Sequence, residues 1–243
     1  MADINIKNPV SFHELKWDSD FFKVTCAKAI LYEPLCKDKW DDLKEKFSSY
    51  QFISIENRNS EPINSQFIGK ETSAFLADVN IQFAKKLYSV NEKPNNIEIH
   101  NLMARNDQII KMAEFRYSKF IEDIEFNKRD GSQVYKQWII NSFEKPDKFF
   151  AISRNGKGET DGFLLHSFFD SICTVELLAV TQNNAGKGIG TSLFKMTEFE
   201  ARQKGCDEIR VGTMIRNLST INFYHKMGCK QIGCHQIFHL WRL

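Results

Sequence analysis

No stretch of this chain approaches eighteen unbroken apolar residues, and the opening Met1-Ala-Asp-Ile-Asn-Ile-Lys-Asn8 has no apolar core, so neither a membrane span nor a secretory leader is expected. Charge of one sign is also lacking. With 33 Lys and Arg against 31 Asp and Glu the formal net charge is +2, too small for a protein that holds nucleic acid or an anionic membrane electrostatically. No Cys-x-x-Cys pair occurs among the six cysteines, and several stand in apolar strand-like runs, so reduced, buried thiols are expected. His235 and His239 share a strand face, yet no third ligand completes a metal site nearby. What remains is a soluble, cytoplasmic protein with a small-molecule partner, a homodimer being left open.

At 243 residues the chain can bury a substantial core as one large domain or two small ones. Lys23 to Tyr32 alternates as a half-buried strand, and Trp40, Leu43 and Phe47 fall on one helical face between Asp38 and Ser48. Tyr50 to Glu56 reads as an apolar strand, and Asn57 to Ser65, with Asn, Ser and Pro, as loop. Phe75 to Phe83 alternates as an antiparallel strand. The polar, proline-bearing Asn91 to Asn96 is the best boundary, separating a domain at 1–92 from one at 97–243. The second part reads as strand 97–103, a helix capped by Asn106, a helix 132–145, strands 148–153 and 162–169, strand 173–180, helix 191–203, strand 208–213, a helix after Asn217 and a last strand.

Between the apolar run ending at Val180 and the helical pattern from Thr191 lies Ala185-Gly-Lys-Gly-Ile-Gly190. Glycines at 186, 188 and 190 permit positive φ and close approach of a ligand, and a helix N-terminus aims free N–H groups at an anion. A pyrophosphate would fit. The P-loop is excluded because Gly188, not Ser or Thr, follows Lys187, and the Rossmann fingerprint because its repeated βαβ context is missing. The segment resembles the acetyl-CoA loop of the GNAT acyltransferases, Arg/Gln-x-x-Gly-x-Gly/Ala, with Ala185 where the family has Arg or Gln. A second match, Asn217-Leu-Ser-Thr-Ile-Asn-Phe-Tyr224-His-Lys-Met-Gly228, resembles the family's Asn…Tyr helix. More narrowly, Leu15-Lys-Trp-Asp-Ser-Asp-Phe-Phe22, Tyr135-Lys-Gln-Trp138-Ile and Val175-Glu-Leu-Leu-Ala179 are similar to the TDP-fucosamine acetyltransferases, GNAT enzymes acting on nucleotide-linked amino sugars.

The resemblance implies an α/β (α+β) fold: a central mixed, mostly antiparallel sheet flanked by helices, plus a smaller N-terminal α/β domain. It implies acetyl-CoA or another acyl-CoA as donor, held by the backbone of Leu178 to Val180, by Ala185, Gly186, Lys187, Gly188, Ile189, Gly190 and Thr191, and by Asn217. Tyr224, a phenol protonated at neutral pH, is the candidate acid for the departing thiolate, and Glu176 the candidate base. Tyr117, Phe120, Tyr135 and Trp138 are candidates for an acceptor pocket, since aromatic faces suit a nucleobase and a sugar. Each has a plainer alternative: Tyr224 as helix packing, Asn217 as an N-cap, Glu176 as a strand-edge charge, Lys187 as a solvated lysine, the aromatics as core. The expected activity is N-acylation of a dTDP-linked amino-dideoxy sugar for surface polysaccharide. Acetylation of a protein N-terminus, a peptide or another small amine, and a non-catalytic CoA-binding module, are the alternatives.

Overall fold

The computed structural model describes residues 8–88 and 93–243; residues 1–7 and 89–92, which take in nearly all of the opening stretch where no leader is expected and part of the expected boundary, lie outside the described residues. In chain order the elements are β1 (Val10–Glu14), α1 (Lys16–Phe22), β2 (Cys26–Leu31), α2 (Lys37–Lys46), β3 (Phe52–Asn57), α3 (Pro62–Glu71) and β4 (Phe75–Lys86). Then come β5 (Ile97–Asn101), α4 (Asp107–Met112), α5 (Lys119–Glu122), α6 (Ile124–Asn127), α7 (Val134–Ser142), β6 (Lys148–Arg154) and β7 (Thr160–Phe169). The last are β8 (Ile172–Val180), α8 (Ile189–Gln203), β9 (Glu208–Met214), α9 (Leu218–Lys226) and β10 (Lys230–Trp241). No helix among the described residues is long and apolar enough to cross a membrane.

Two compact units divide these elements. One holds residues 8–81, Lys119–Gly131 and Gly233–Leu243; the other holds the described parts of Gln82–Ser118 and Ser132–Ile232. In the first, β1 pairs antiparallel with β2, β2 runs parallel to β3, and β3 pairs antiparallel with β10. Trp40 and Leu43 of α2 and Ile68 of α3 bury against Ile53, Ile55 and Leu240. The loop expected from Asn57 to Ser65 gives way to helix from Pro62. Proline loses no bond at a helix's first turn, and the Glu61 carboxylate accepts the Ile63 N–H at 3.2 Å, so residues read as loop punctuation are a helix start. Phe126 of α6 anchors an aromatic cluster, its ring 4.2 Å from Phe22, 4.5 Å from Phe52 and 4.9 Å from Trp241. His239 is bonded through Nδ1 to Asp123 at 2.6 Å, and no group of metal ligands gathers among the described residues. All six cysteines are free; Cys36 is exposed rather than buried as expected, because it stands at the N-terminus of α2.

In the second unit β5, β6, β7 and β8 pair antiparallel in sequence, and β9 adds parallel to β8. This is the mixed, mostly antiparallel sheet expected. Successive strand side chains point to opposite faces. Phe150, Ile152, Phe163, Leu165 and Leu177 meet α4 and α7 through Ile109 and Ile139, while Gly162 lies under α8, where a Cβ would press on Ile189 and Leu193. Asn106 caps α4 as expected, its Oδ1 accepting the Gln108 and Ile109 N–H groups.

Two irregularities coincide in β8. Leu165 pairs with Leu177 but His166 with Val175, which leaves Glu176 as the extra residue of a β-bulge. The ladder to β9 covers Ile172–Val175 against Glu208–Val211 and then stops, although β8 continues to Val180 and β9 to Met214. The two strands part there.

Asp78 of β4 is buried in the first unit, and that burial pushes its carboxyl up to about 6 against the pull of Lys119 and of the Val79 and Asn80 groups that donate to it. A raised folded-state value means that its contribution to stability is full below the ordinary 3.8 and is lost as pH rises through about 6. Asp78→Asn should therefore gain thermal stability relative to wild type on going from about pH 4 to about pH 8. Melting curves across that range check it; a difference that does not change with pH contradicts the burial of a charge.

Candidate active site

The sequence Val180 to Thr191 builds a pocket of free amides. The Thr181 N–H donates to the Asp161 carbonyl at 2.9 Å, a single 3₁₀ turn follows at Gln182–Asn184, and Gly186 (φ 80°) and Gly188 (φ 87°) then take left-handed backbone before α8 begins. Turn bonds occupy the Ala185 and Lys187 N–H groups, and Ser192 is the first helical residue to bond back, to the Gly188 carbonyl at 3.0 Å. The N–H groups of Gly186, Gly188, Ile189, Gly190 and Thr191 have no acceptor among the described residues, no side chain caps the helix, and its first turn has no acid. Such a nest at a helix N-terminus binds phosphate. The space is open: a Cβ on Gly186 or Gly188 would meet nothing within 4 Å.

Gly190 departs from expectation. Its φ is not positive, and its lack of a side chain serves close packing, since a Cβ would sit 3.6 Å from Phe223 and 3.9 Å from Leu178. Lys187 is half committed, its Nζ donating to Asn184 Oδ1 at 2.9 Å, and Asn184 in turn donates to Thr181 Oγ1 at 3.2 Å. From Glu176 to Val180 the edge of β8 that would face β9 has no ladder, so Leu178 and Val180 offer backbone groups to an extended ligand.

At the bulge the Glu176 carboxylate is held by three donors: Lys148 Nζ at 2.5 Å and Ser167 Oγ at 2.6 Å on Oε1, and the Trp138 indole N–H at 3.2 Å on Oε2. Trp138 is 38% exposed, which leaves ring surface for a ligand, and it stacks on Tyr135 with 12° between planes, while Phe115 meets Tyr135 edge-on at 4.9 Å. Glu176, Trp138 and Tyr135 are thus brought together. Lys148 and Ser167 were missed; they are direct partners across β6 and β7, a register no sequence pattern discloses. Tyr117 is half-buried, with the guanidinium carbons of Arg116 and Arg216 5.4 and 5.5 Å from its ring centroid. Phe120 belongs to the first unit, where it packs on Phe22 and Phe126.

On α9, Asn217 is an N-cap, its Oδ1 accepting the Thr220 N–H at 3.3 Å. Tyr224 is 4% exposed, with Phe83, Phe194 and Phe223 rings around it at 5.6, 6.0 and 5.3 Å. Burial, aided by Cys229, pushes its phenol above the ordinary value of 10, so the group is fully protonated near neutral pH.

Residues 109–229 match the Acetyltransferase (GNAT) family. An acetyltransferase of Agrobacterium fabrum is 30% identical over 105 residues, which are 43% of this chain and 74% of that protein. The chain belongs to the GNAT acetyltransferase family. GNAT enzymes take their acyl group from acetyl-CoA or another acyl-CoA, which fits the nest and the open strand edge. The spore coat polysaccharide biosynthesis protein SpsD of Bacillus subtilis is 21% identical over 127 residues, 52% of this chain, and the chain spans 44% of its length. In fold the chain is similar to a GCN5-related N-acetyltransferase from Sphaerobacter thermophilus, with a TM-score of 0.62, 10% identity, and coverage of 96% of this chain and 76% of that one.

Valine at 188 would be forced into left-handed backbone and would put methyl groups where a phosphate approaches. Gly188→Val should weaken CoA binding at least about tenfold, or 1.4 kcal/mol, in a protein that still folds. Calorimetric titration with CoA measures it; unchanged affinity in a folded variant removes the nest from the donor site.

Proposed function

We propose that this GNAT chain acylates the amine of a nucleotide-linked amino sugar, of the dTDP-amino-dideoxyhexose class, in the cytoplasm and for a surface polysaccharide, with residues 97–243 as the catalytic domain and 1–92 as a smaller one. The observation that carries the acceptor class is the exposed indole of Trp138, stacked on Tyr135 and tied by its N–H to the bulge residue Glu176. A flat aromatic surface fixed beside a carboxylate suits a sugar ring or base next to an amine. The similarity to a polysaccharide biosynthesis protein points the same way.

In this reading the CoA pyrophosphate sits on the Gly186 to Thr191 amides, with Ala185 and Lys187 at its rim, and the pantetheine arm lies along Leu178 to Val180, with Asn217 at the start of α9 beside it. A backbone N–H of the parted strand polarises the thioester carbonyl. The amine of an oxygen-substituted sugar is near the α-amino value of about 8, so a modest base is enough. Glu176 takes the proton, directly or through water. Nitrogen attacks the carbonyl carbon, the carbon–sulfur bond breaks, and Tyr224 gives its proton to the thiolate, leaving an amide and free CoA. Tyr117 is a further acceptor-side candidate, whereas Phe120 packs on Phe22 and Phe126 within the first unit.

Tyr224→Phe keeps the ring and its packing but removes the acid. Its turnover number should fall about 10²–10⁴-fold with CoA affinity and melting temperature nearly unchanged. The reverse pattern, lost stability with wild-type turnover, makes Tyr224 structural. For the acceptor, mass spectrometry of products from dTDP-linked and free amino sugars should show far better turnover of the linked ones, because nucleotide contacts orient the amine. Equal rates on both, or a preference for peptides, contradict the assignment.

A further inference from the structure

Between Val180 and Thr191 the loop ahead of α8 has one charged side chain, that of Lys187. It stands between Gly186 and Gly188, the two left-handed glycines whose N–H groups have no acceptor among the described residues. A lysine stem is flexible, and in open solvent its ammonium would sample many positions. Here Nζ is folded back onto the loop instead, donating to Oδ1 of Asn184, three residues earlier, at 2.9 Å. An ammonium has three donors. Asn184 takes one, and Lys187 has no carboxylate at ion-pair distance among the described residues, so the other two are open to a ligand.

Asn184 is itself fixed at every polar atom. Its N–H donates to the Thr181 carbonyl at 2.9 Å, and its carbonyl accepts the Lys187 N–H at 3.3 Å. Its Nδ2 donates to Thr181 Oγ1 at 3.2 Å, with Oδ2 of the buried Asp161 at 3.5 Å, which leaves Oδ1 turned to Lys187. Thr181 thus sets the amide, and the amide sets the ammonium. Room for a ligand adjoins them: a Cβ on Gly186 or Gly188, the residues on either side of Lys187, would meet nothing within 4 Å. A long side chain held in place before its ligand arrives spares the complex part of the ordering cost of binding. We propose that Asn184 is a positioning residue for the acyl donor: it pins the Lys187 ammonium over the glycine nest, where the two remaining N–H donors meet a phosphate of CoA. This role rests on the nest being the seat of a CoA phosphate.

The test is a double-mutant cycle in CoA affinity, by calorimetric titration at two salt concentrations into wild type, Lys187→Gln, Asn184→Ala and the double variant, each checked by circular dichroism and melting. Lys187→Gln should bind CoA about 2- to 10-fold more weakly and with a shallower salt dependence, because a screened charge contact is lost. Asn184→Ala should weaken binding about 2- to 5-fold, yet cost nothing further once residue 187 is glutamine. Additive losses mean that Asn184 acts on the shape of the loop alone, and they overturn the role. Tighter binding by Asn184→Ala overturns it too, since the amide would then keep the lysine from the ligand, and so does a Lys187→Gln protein that binds as wild type does. If Asn184→Ala does not fold, Thr181→Val takes its place in the cycle, because it removes the hydroxyl that orients the amide. Gly188→Val separates this role from the reading beneath it. Weakened binding there, with wild-type binding in the Lys187 and Asn184 variants, keeps the nest and removes the lysine; wild-type binding in all three removes the nest as well. Titration of dephospho-CoA then names the phosphate: a Lys187→Gln loss that persists assigns the ammonium to the pyrophosphate, and one that vanishes assigns it to the 3′-phosphate.

Discussion

Everything in the catalytic half depends on where one hydrogen-bond ladder ends. Beyond Val175 and Val211 the parallel strands β8 and β9 no longer pair, and backbone groups that a continuous sheet would consume are left for something else. The bulge at Glu176 falls at the same residue step. An extra residue twists and bends its strand, so bulge and parting are two expressions of one distortion, and together they set a carboxylate at the inner end of an open backbone edge. Val180 then hands that edge to the amides of Gly186 through Thr191. Unused backbone groups of β8 are thus followed, after the hydrogen-bonded turn at 181–185, by the free amides of Gly186 and of Gly188 to Thr191.

The side chains around these groups are fixed by partners of their own. Glu176 is held from three directions by Lys148, Ser167 and Trp138, which orients it. Tyr224 is packed among the Phe83, Phe194 and Phe223 rings, and the same burial that keeps it protonated makes it a weaker acid. Asn217 caps its helix whatever else it does, since the bond to the Thr220 N–H is present without any ligand.

The glycine loop was legible because its chemistry is backbone chemistry: glycine spacing between a strand and a helix reports positive φ, and two of the three glycines have it. The strand and helix order after residue 97 was legible from periodicity except for the short helices α5 and α6, which offer a four-residue window each. What sequence could not disclose is register. That Glu176 is a bulge residue, that Lys148 and Ser167 converge on it, and that Arg116 and Arg216 share one ring all follow from pairing between segments 9 to 100 residues apart. The start of α3 was misread for a different reason, because proline and acid mark loops and first helical turns alike. Composition also has a limit: among 21 phenylalanines, aromatic character alone does not separate a pocket wall from a packed ring.

The central claim is that the free edge of β8 and the amides ahead of α8 are one binding surface for acyl-CoA. Amide hydrogen exchange of the full chain, with and without CoA, tests it most directly. The account predicts strong slowing on CoA addition at residues 176–180 and 186–191 together, since both sets of groups acquire partners at once. Slowing at the glycine loop alone, with 176–180 exchanging as in the free protein, would contradict it: the cofactor arm would then not lie along the parted strand.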